Sequence, residues 1–378
     1  MTKRLSIITG VLTTCGIIFL APSEPAYGQR MLRSGPSNPR PAVRKTTPAE
    51  KEAPQRRDSG EKESQPVSKP KTPQSKTTAP MKAAPATTAS IMETVAWQAA
   101  LDRAGFSPGI IDGQRGAKTQ AAIRAFQSHA GLPATGDIDV AAAEALGVDA
   151  QPPVRTYTVT EDDAAQVGPI PQGWIAKSKL PRLNYQSLAA LVAERGHCSQ
   201  RLLARLNPDV DVTKLKPGDA VSLPNVEGAA PPPNGTRLEI DFGSKQVSVF
   251  DKSDKLVALF HCSIAKNKSK RPNGACKVQT IVPNPKYMFD PKHWPEVKGI
   301  VQKLLIPSGP RNPVGLCWIG LSKRGYGIHG TPEPENIGKT GSHGCFRLAN
   351  WDAVRLSKMV RVGTSVSFTD SAVRVAAS

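Results

Sequence analysis

The run Arg237-Leu238-Glu239-Ile240-Asp241-Phe242-Gly243-Ser244-Lys245-Gln246-Val247-Ser248-Val249-Phe250 alternates apolar and polar residues on both sides of a Gly-containing turn. Period-two alternation places every second side chain on one face of a sheet, so the run reads as two strands joined by a hairpin. A third strand is expected over Leu256 to Ile264, beyond the turn Lys252-Ser253-Asp254. Shorter strands are expected around Lys277 to Val282, Gly315 to Gly320 and Gly327 to His329. A helix from Asn350 to Met359 and a last strand near 365–368 complete a mainly-β domain, sandwich-like or a partly closed sheet.

Upstream the period changes. Leu188, Leu191, Val192, Leu202, Leu203 and Leu206 recur at helical spacing, broken at Gly196, and lead through Lys216-Pro217-Gly218-Asp219 to a closing strand. Thr156-Tyr157-Thr158-Val159 is the candidate opening strand of this α+β segment, 155–226. Before it, 91–150 reads as a small three-helix bundle. Ser90-Ile91-Met92-Glu93 has the form of a capping box, and the helix it opens runs to Ala104 with Gly105 as its left-handed stop. A second helix from Gly116 carries Ala122, Ile123, Phe126 and Ala130 inward, and a third from Asp139 is expected to bury Val140, Ala143 and Leu146.

Lys3 and Arg4 precede an apolar run from Leu5 to Leu20, which is followed by the small-x-small pattern Ala26-Tyr27-Gly28. The run is short for a bilayer span, so 1–28 reads as a secretory signal and the mature chain as exported, to periplasm or wall, without a membrane span. A lipoprotein cysteine at Cys15 fits less well, because hydrophobic sequence continues after it. Residues 29–90 hold ten Pro, fourteen Ser or Thr and no aromatic residue, a composition that cannot offset the entropy of ordering, and they read as a disordered linker.

The net charge of +19 is unevenly placed: +8 on 29–90, −3 on 91–150 and +12 on 231–378. A basic tail without aromatic residues to stack on bases argues against nucleic acid and for attraction to a polyanionic envelope polymer.

Two short motifs concentrate the reactive groups: Gly327-Ile328-His329-Gly330-Thr331 and Ser342-His343-Gly344-Cys345-Phe346-Arg347-Leu348. A cysteine becomes a nucleophile when a base takes its proton, and His329 is the candidate base for Cys345. Gly344 leaves the backbone uncrowded for amides aimed at an oxyanion, and the Gly330 carbonyl can fix the tautomer of His329. Ser342, His343 and Arg347 are candidates for binding a substrate carboxylate. The alternatives for Arg347 and His343 are to tie down and shape the loop. A buried His beside an inert thiol, or a zinc pair completed by His343, is the competing reading of His329 and Cys345. His197, His261 and His293 read as surface or packing residues.

The same motifs, with Arg271-Pro272-Asn273-Gly274, Asn312-Pro313-Val314-Gly315, Ile337-Gly338 and Val362-Gly363-Thr364, resemble the YkuD-type L,D-transpeptidase domain over 236–368. Phe346 and Arg271 depart from the usual residues at their positions without removing a reactive group. Ala104-Gly105-Phe106-Ser107-Pro108-Gly109-Ile110-Ile111-Asp112-Gly113, with Thr119, Ala122, Phe126-Gln127 and Gly131-Leu132, resembles a peptidoglycan-binding domain. Leu215-Lys216-Pro217-Gly218-Asp219-Ala220-Val221 resembles the second half of a LysM repeat, although the front half departs from that pattern; a spacer is the other reading.

The resemblance implies a cysteine-dependent acyl transfer on peptidoglycan stems. The thiolate of Cys345 attacks the bond before a terminal D-Ala, and an amine acceptor resolves the acyl-enzyme into a cross-link between third residues or an attachment to the wall. Water as acceptor would make the enzyme an L,D-carboxypeptidase, and an idle site would make it a wall-binding scaffold. No cofactor or metal is expected, peptidoglycan is the expected partner, and the oligomeric state is open. Beyond Cys15, five cysteines leave an odd count in an oxidising compartment, with Cys262 and Cys276 the first pair expected to bridge.

Overall fold

A computed structural model of the chain describes residues 88–371 apart from 295 and 343. The expected signal segment, nearly all of the expected linker, and His343 lie outside the described residues. The order of elements is α1 (Thr88–Ala104), α2 (Ala117–Ala130), α3 (Val140–Leu146), β1 (Val154–Thr158), α4 (Glu161–Ala165), α5 (Trp174–Ser178), α6 (Leu188–Arg195), α7 (Gln200–Leu206) and β2 (Ala220–Pro224). There follow β3 (Arg237–Asp241), β4 (Gln246–Phe250), β5 (Leu256–His261), β6 (Ala275–Pro283), β7 (Tyr287–Phe289), β8 (Leu304–Ile306), β9 (Cys317–Leu321), β10 (Gly327–His329), β11 (Phe346–Arg347), α8 (Asn350–Met359) and β12 (Ser365–Thr369). No described helix is long and apolar enough to cross a membrane.

Strands β3 and β4 bury alternate residues, Leu238, Ile240, Val247 and Val249, as their period requires. The catalytic-motif region is a single eight-stranded mixed sheet in the order β11-β10-β9-β6-β12-β3-β4-β5, not two sheets face to face as in a sandwich. The sheet curls until its ends meet. Ser263, just beyond β5, exchanges backbone hydrogen bonds of 2.9 and 3.0 Å with Arg347 of β11. The enclosed core is closed by Ala353, Leu356 and Met359 of α8.

The strand order overturns the expected cysteine bridge. All five described cysteines are free. Strands β4, β3 and β12 separate β5, which ends beside Cys262, from β6, which carries Cys276, whereas a disulfide needs Cα atoms within about 7 Å.

The helical segment does not stand apart. After α1, Gly105 takes φ +90 and the chain lies along β5, with Ser107 N–H donating to Leu259 O at 2.8 Å and Leu259 N–H to Gly105 O at 3.1 Å. The exposed edge of the sheet is thereby covered. One face of α1 (Trp97, Leu101) packs with Ile123, Phe126 and Leu259. Another (Ile91, Val95) packs with Leu191, Val192, Leu202 and Leu223 of the middle segment. Two expectations fail here. The helix begins at Thr88, so Ser90 lies inside it and not at its cap. Val140 is 73% exposed while Ala142 is buried, so α3, capped at Asp139 as its start implies, turns a different face inward from the one its apolar spacing marks.

In the middle segment β1 pairs antiparallel with β2 around α6 and α7. The residues inserted between β1 and α6 reach across to the catalytic-motif region. Trp174 of α5 stacks on Phe289 of β7 with ring centroids 4.3 Å apart, and Leu183 exchanges backbone hydrogen bonds with Ser308 and Arg311. At Gly309 a Cβ would fall 2.2 Å from Leu183 O, so only glycine permits this approach.

Candidate active site

Strands β10 and β11 are parallel, with Ile328 opposite Phe346 and His329 opposite Arg347. Ile328 and Phe346 point into the closed core. His329 and Arg347, the next residue on each strand, therefore face the other way, and Cys345 lies in the bend immediately before β11.

The ring of His329 is buried, and its Nδ1 lies 2.7 Å from the Gly330 carbonyl oxygen. A carbonyl only accepts, so Nδ1 carries the proton and Nε2 keeps a lone pair. Burial pulls the pKa of His329 down to about 4, with the Gly330 hydrogen bond opposing and the Arg347 charge adding to the fall. The imidazole is neutral at pH 7. Trp318 of β9, its cross-strand partner, stacks over it at a centroid distance of 5.6 Å.

The Cys345 thiol lies 3.6 Å from Gly325 O and is half-buried. Burial pushes its pKa above the ordinary 9.0, opposed by the Gly327 amide. Thiol and imidazole are thus both neutral at rest. A thiol in that state holds no standing thiolate, and its use as a nucleophile would call for a general base.

The remaining expected residues divide. Ser342 Oγ donates to Cys345 O at 2.5 Å and accepts from Gly344 N at 3.3 Å, so this hydroxyl shapes the turn. The Gly344 amide is turned to that hydroxyl and so is not turned to an oxyanion, and a Cβ on Gly344 would meet Tyr326 at 3.9 Å, an ordinary contact. Arg347 Nη2 donates to Thr340 O, Thr340 Oγ1 and Gly341 O at 3.0, 2.8 and 3.0 Å. It therefore ties down the loop before the cysteine. Its Nε is buried with no protein partner among the described residues. Gly330 must be small: a Cβ there would lie 2.4 Å from Asn350 Oδ1.

Asn350 links this loop to the middle segment. Its Oδ1 accepts from Leu316 N at 3.2 Å, and its Nδ2 donates to both Glu194 oxygens at 3.3 Å. The Tyr185 hydroxyl donates to the same carboxylate at 3.0 Å. The other histidines also find partners that their sequence context did not announce. His261 is buried with Nε2 3.2 Å from Lys118 O, and His197 pairs with Asp102 at 3.0 Å and stacks on Trp351. Among the described residues no three His, Cys, Asp or Glu side chains are disposed to hold a metal ion.

Trp318, Gly327 and Tyr287 were not legible as site residues. A Cβ on Gly327 would lie 2.5 Å from the Trp318 ring, so the bare glycine admits the indole that stacks on His329. Burial raises the pKa of the Tyr287 phenol, and the nearby Cys345 adds to the rise. A glycine inside a strand was the one available signal, since it marks close approach of another group.

Residues 235–368 match the family profile described as the L,D-transpeptidase catalytic domain, and residues 93–146 match one described as "Putative peptidoglycan binding domain". A Bacillus licheniformis protein named "Putative L,D-transpeptidase YkuD" is 27% identical over 49% of this chain and 94% of its own length. "Probable L,D-transpeptidase YbiS" of Escherichia coli K12 is 28% identical over 58% of this chain and 70% of its own. Among solved structures, the L,D-transpeptidase of Xylanimonas cellulosilytica is 17% identical, with a TM-score of 0.30 over 73% of this chain and 92% of that one. A C442S mutant L,D-transpeptidase of Enterococcus faecium is 20% identical, with a TM-score of 0.28 over 36% of this chain and 50% of that one. This chain therefore spans about half the length of the latter. The chain contains an L,D-transpeptidase catalytic domain and, before it, a peptidoglycan-binding type of domain.

Proposed function

We propose that the chain is an exported L,D-transpeptidase that remodels peptidoglycan through Cys345 and His329. The observation that supports this reading is the β10–β11 pairing, which sets His329, its tautomer fixed by the Gly330 carbonyl, opposite Arg347, two residues after Cys345. In this reading His329 Nε2 takes the thiol proton as Cys345 attacks the carbonyl before the terminal D-Ala. The protonated imidazole then gives that proton to the departing amine, leaving a thioester. An amine of a second stem, deprotonated by the same nitrogen, breaks the thioester and regenerates the thiol. Arg347 fixes the loop that presents the cysteine. The helical segment holds the polymer, and the middle segment acts as a strut through Leu183 and Glu194, which supports the spacer reading over glycan binding.

Digesting walls from cells that express the wild-type chain or Cys345→Ala, followed by mass spectrometry, tests the proposal. New cross-links between third residues should appear with wild type alone. Trimmed stems without cross-links would assign water as the acceptor, and identical products from both chains would overturn catalysis by Cys345.

A further inference from the structure

Two adjoining clefts lie on the far side of the loop that leads into the cysteine turn. One, of about 470 Å³, is lined by Lys245, Lys266, Arg271 and Lys339 against loop residues 338–341. The other, of about 220 Å³, shares Lys245, Gly338 and Lys339 and extends to Ala117, Lys118 and Ala121 of α2. Five cations and no carboxylate line the pair.

We infer that this continuous groove binds a carboxylate-bearing peptide strand of the wall polymer and guides it toward the cysteine loop, an inference that rests on the proposed function. Lys118 Nζ and Lys245 Nζ are held at the groove on Ile337 O (2.7 Å) and Gly338 O (2.8 Å), so two ammonium heads are fixed in place. Arg271 is braced by Ala265 O at 3.2 Å and lies over the Phe242 ring. Like charges this close repel. Burial lowers the pKa of Lys118, and Lys339 and Lys245 lower it further against the pull of Asp352 and Asp112.

Elsewhere basic side chains are matched: Arg155 with Glu227, Arg195 with Asp163 and Arg237 with Asp254. The nearby Asp241 offers the groove nothing, because its oxygens accept from Gly243 N, Ser371 N and Ser244 Oγ. An external anion is the remaining means of offsetting the repulsion. The groove runs from the peptidoglycan-binding type of domain to Gly341, one residue before Ser342. An occupant of both clefts would therefore lie along the loop that leads into the cysteine turn. Neutral glycan supplies no charge, and the peptide strands do.

The test is co-sedimentation of the full chain with purified wall sacculi across a salt series. It compares wild type with Lys266→Gln/Lys339→Gln and Lys266→Glu/Lys339→Glu, both sites exposed, with circular dichroism to check folding. Binding should fall in that order, by about tenfold for the charge-reversed chain, with a shallower salt dependence. Amidating the wall carboxylates should bring wild type down to the level of the reversed variant, and stripping phosphate-containing polymers should change nothing. Equal binding by all three chains overturns the inference, as does loss on phosphate stripping with amidated walls still bound. Wild-type turnover of a short soluble stem peptide is followed in parallel. Carboxylate-dependent binding without turnover would remove the catalytic proposal and leave the groove, whereas turnover with charge-independent binding would remove the groove alone.

Discussion

Two clusters of buried ionisable groups, one at the catalytic edge and one where the three segments meet, are built on opposite rules. At the edge, His329 and Cys345 have a carbonyl and a backbone amide for company, and the charge that acts on the histidine is the cation Arg347. At the junction, Asp102 of α1 faces His197 of the middle segment and Arg355 of α8, with Asp352 close by. Burial with Asp102 pushes the pKa of Asp352 to about 7, while the Ser107 hydroxyl donates to it at 2.9 Å. The edge keeps its groups neutral and free to exchange protons, whereas the junction uses charge to clamp three segments together. Chemistry and cohesion are thereby assigned to different places.

The largest break in this contrast is expected from His329→Ala. Turnover of a stem peptide should fall by about 10²- to 10⁴-fold, the usual contribution of a general base, with the thermal unfolding midpoint little changed. A large loss of stability with activity retained per folded molecule would instead place His329 among the clamping residues.

Asn350→Ala should act on stability first. It strips the buried Glu194 carboxylate of an amide partner and frees the Leu316 amide, a loss on the order of 2 kcal/mol by urea unfolding. Restoration by Asn350→Asp would show that the amide donor is not what matters.

Gly327→Ala should lower kcat by about tenfold without affecting stem binding, since displacing Trp318 releases the ring that seats His329 and small misplacement is costly. An unchanged kcat would separate the indole stack from catalysis.

The buried histidines and Asp352 should also respond to pH with opposite sign. His329 and His261 both fall to about 4 in the folded chain from 6.5. The unfolded chain then binds more protons between those values, and stability is lost as pH falls from about 6.5 toward 4. Asp352 rises from 3.8 to about 7, so its contribution is present at low pH and is lost as pH rises through that range. Asp352→Asn should accordingly be a smaller change, raising stability at pH 8 and not at pH 4. Urea unfolding at both values checks this, and equal shifts would show that Asp352 is ionised throughout.

The contrast also explains what was readable in advance. Strands β3 and β4 and helix α8 follow from local period, because each depends on neighbours a few residues away. The curl of the sheet was not readable, since it depends on Ser263 meeting Arg347 across 84 positions of sequence. The expected Cys262–Cys276 bridge failed on strand order, since nearness in sequence was taken for nearness in the sheet. Val140 failed because apolar spacing marks a stripe on a helix but does not fix which side meets the core.

Local period and motif spacing carried the mainly-β nature of the last domain, the helical segment before it and the uneven placement of charge, and they singled out His329 and Cys345 as candidates. That the three segments share cores, that Trp318 stacks on His329, and that Lys118 joins four cations from another segment in one groove came from tertiary packing alone. Period and spacing are properties of a single stretch of chain, whereas burial, pKa and charge density are set by whichever distant residues fill the space around a group.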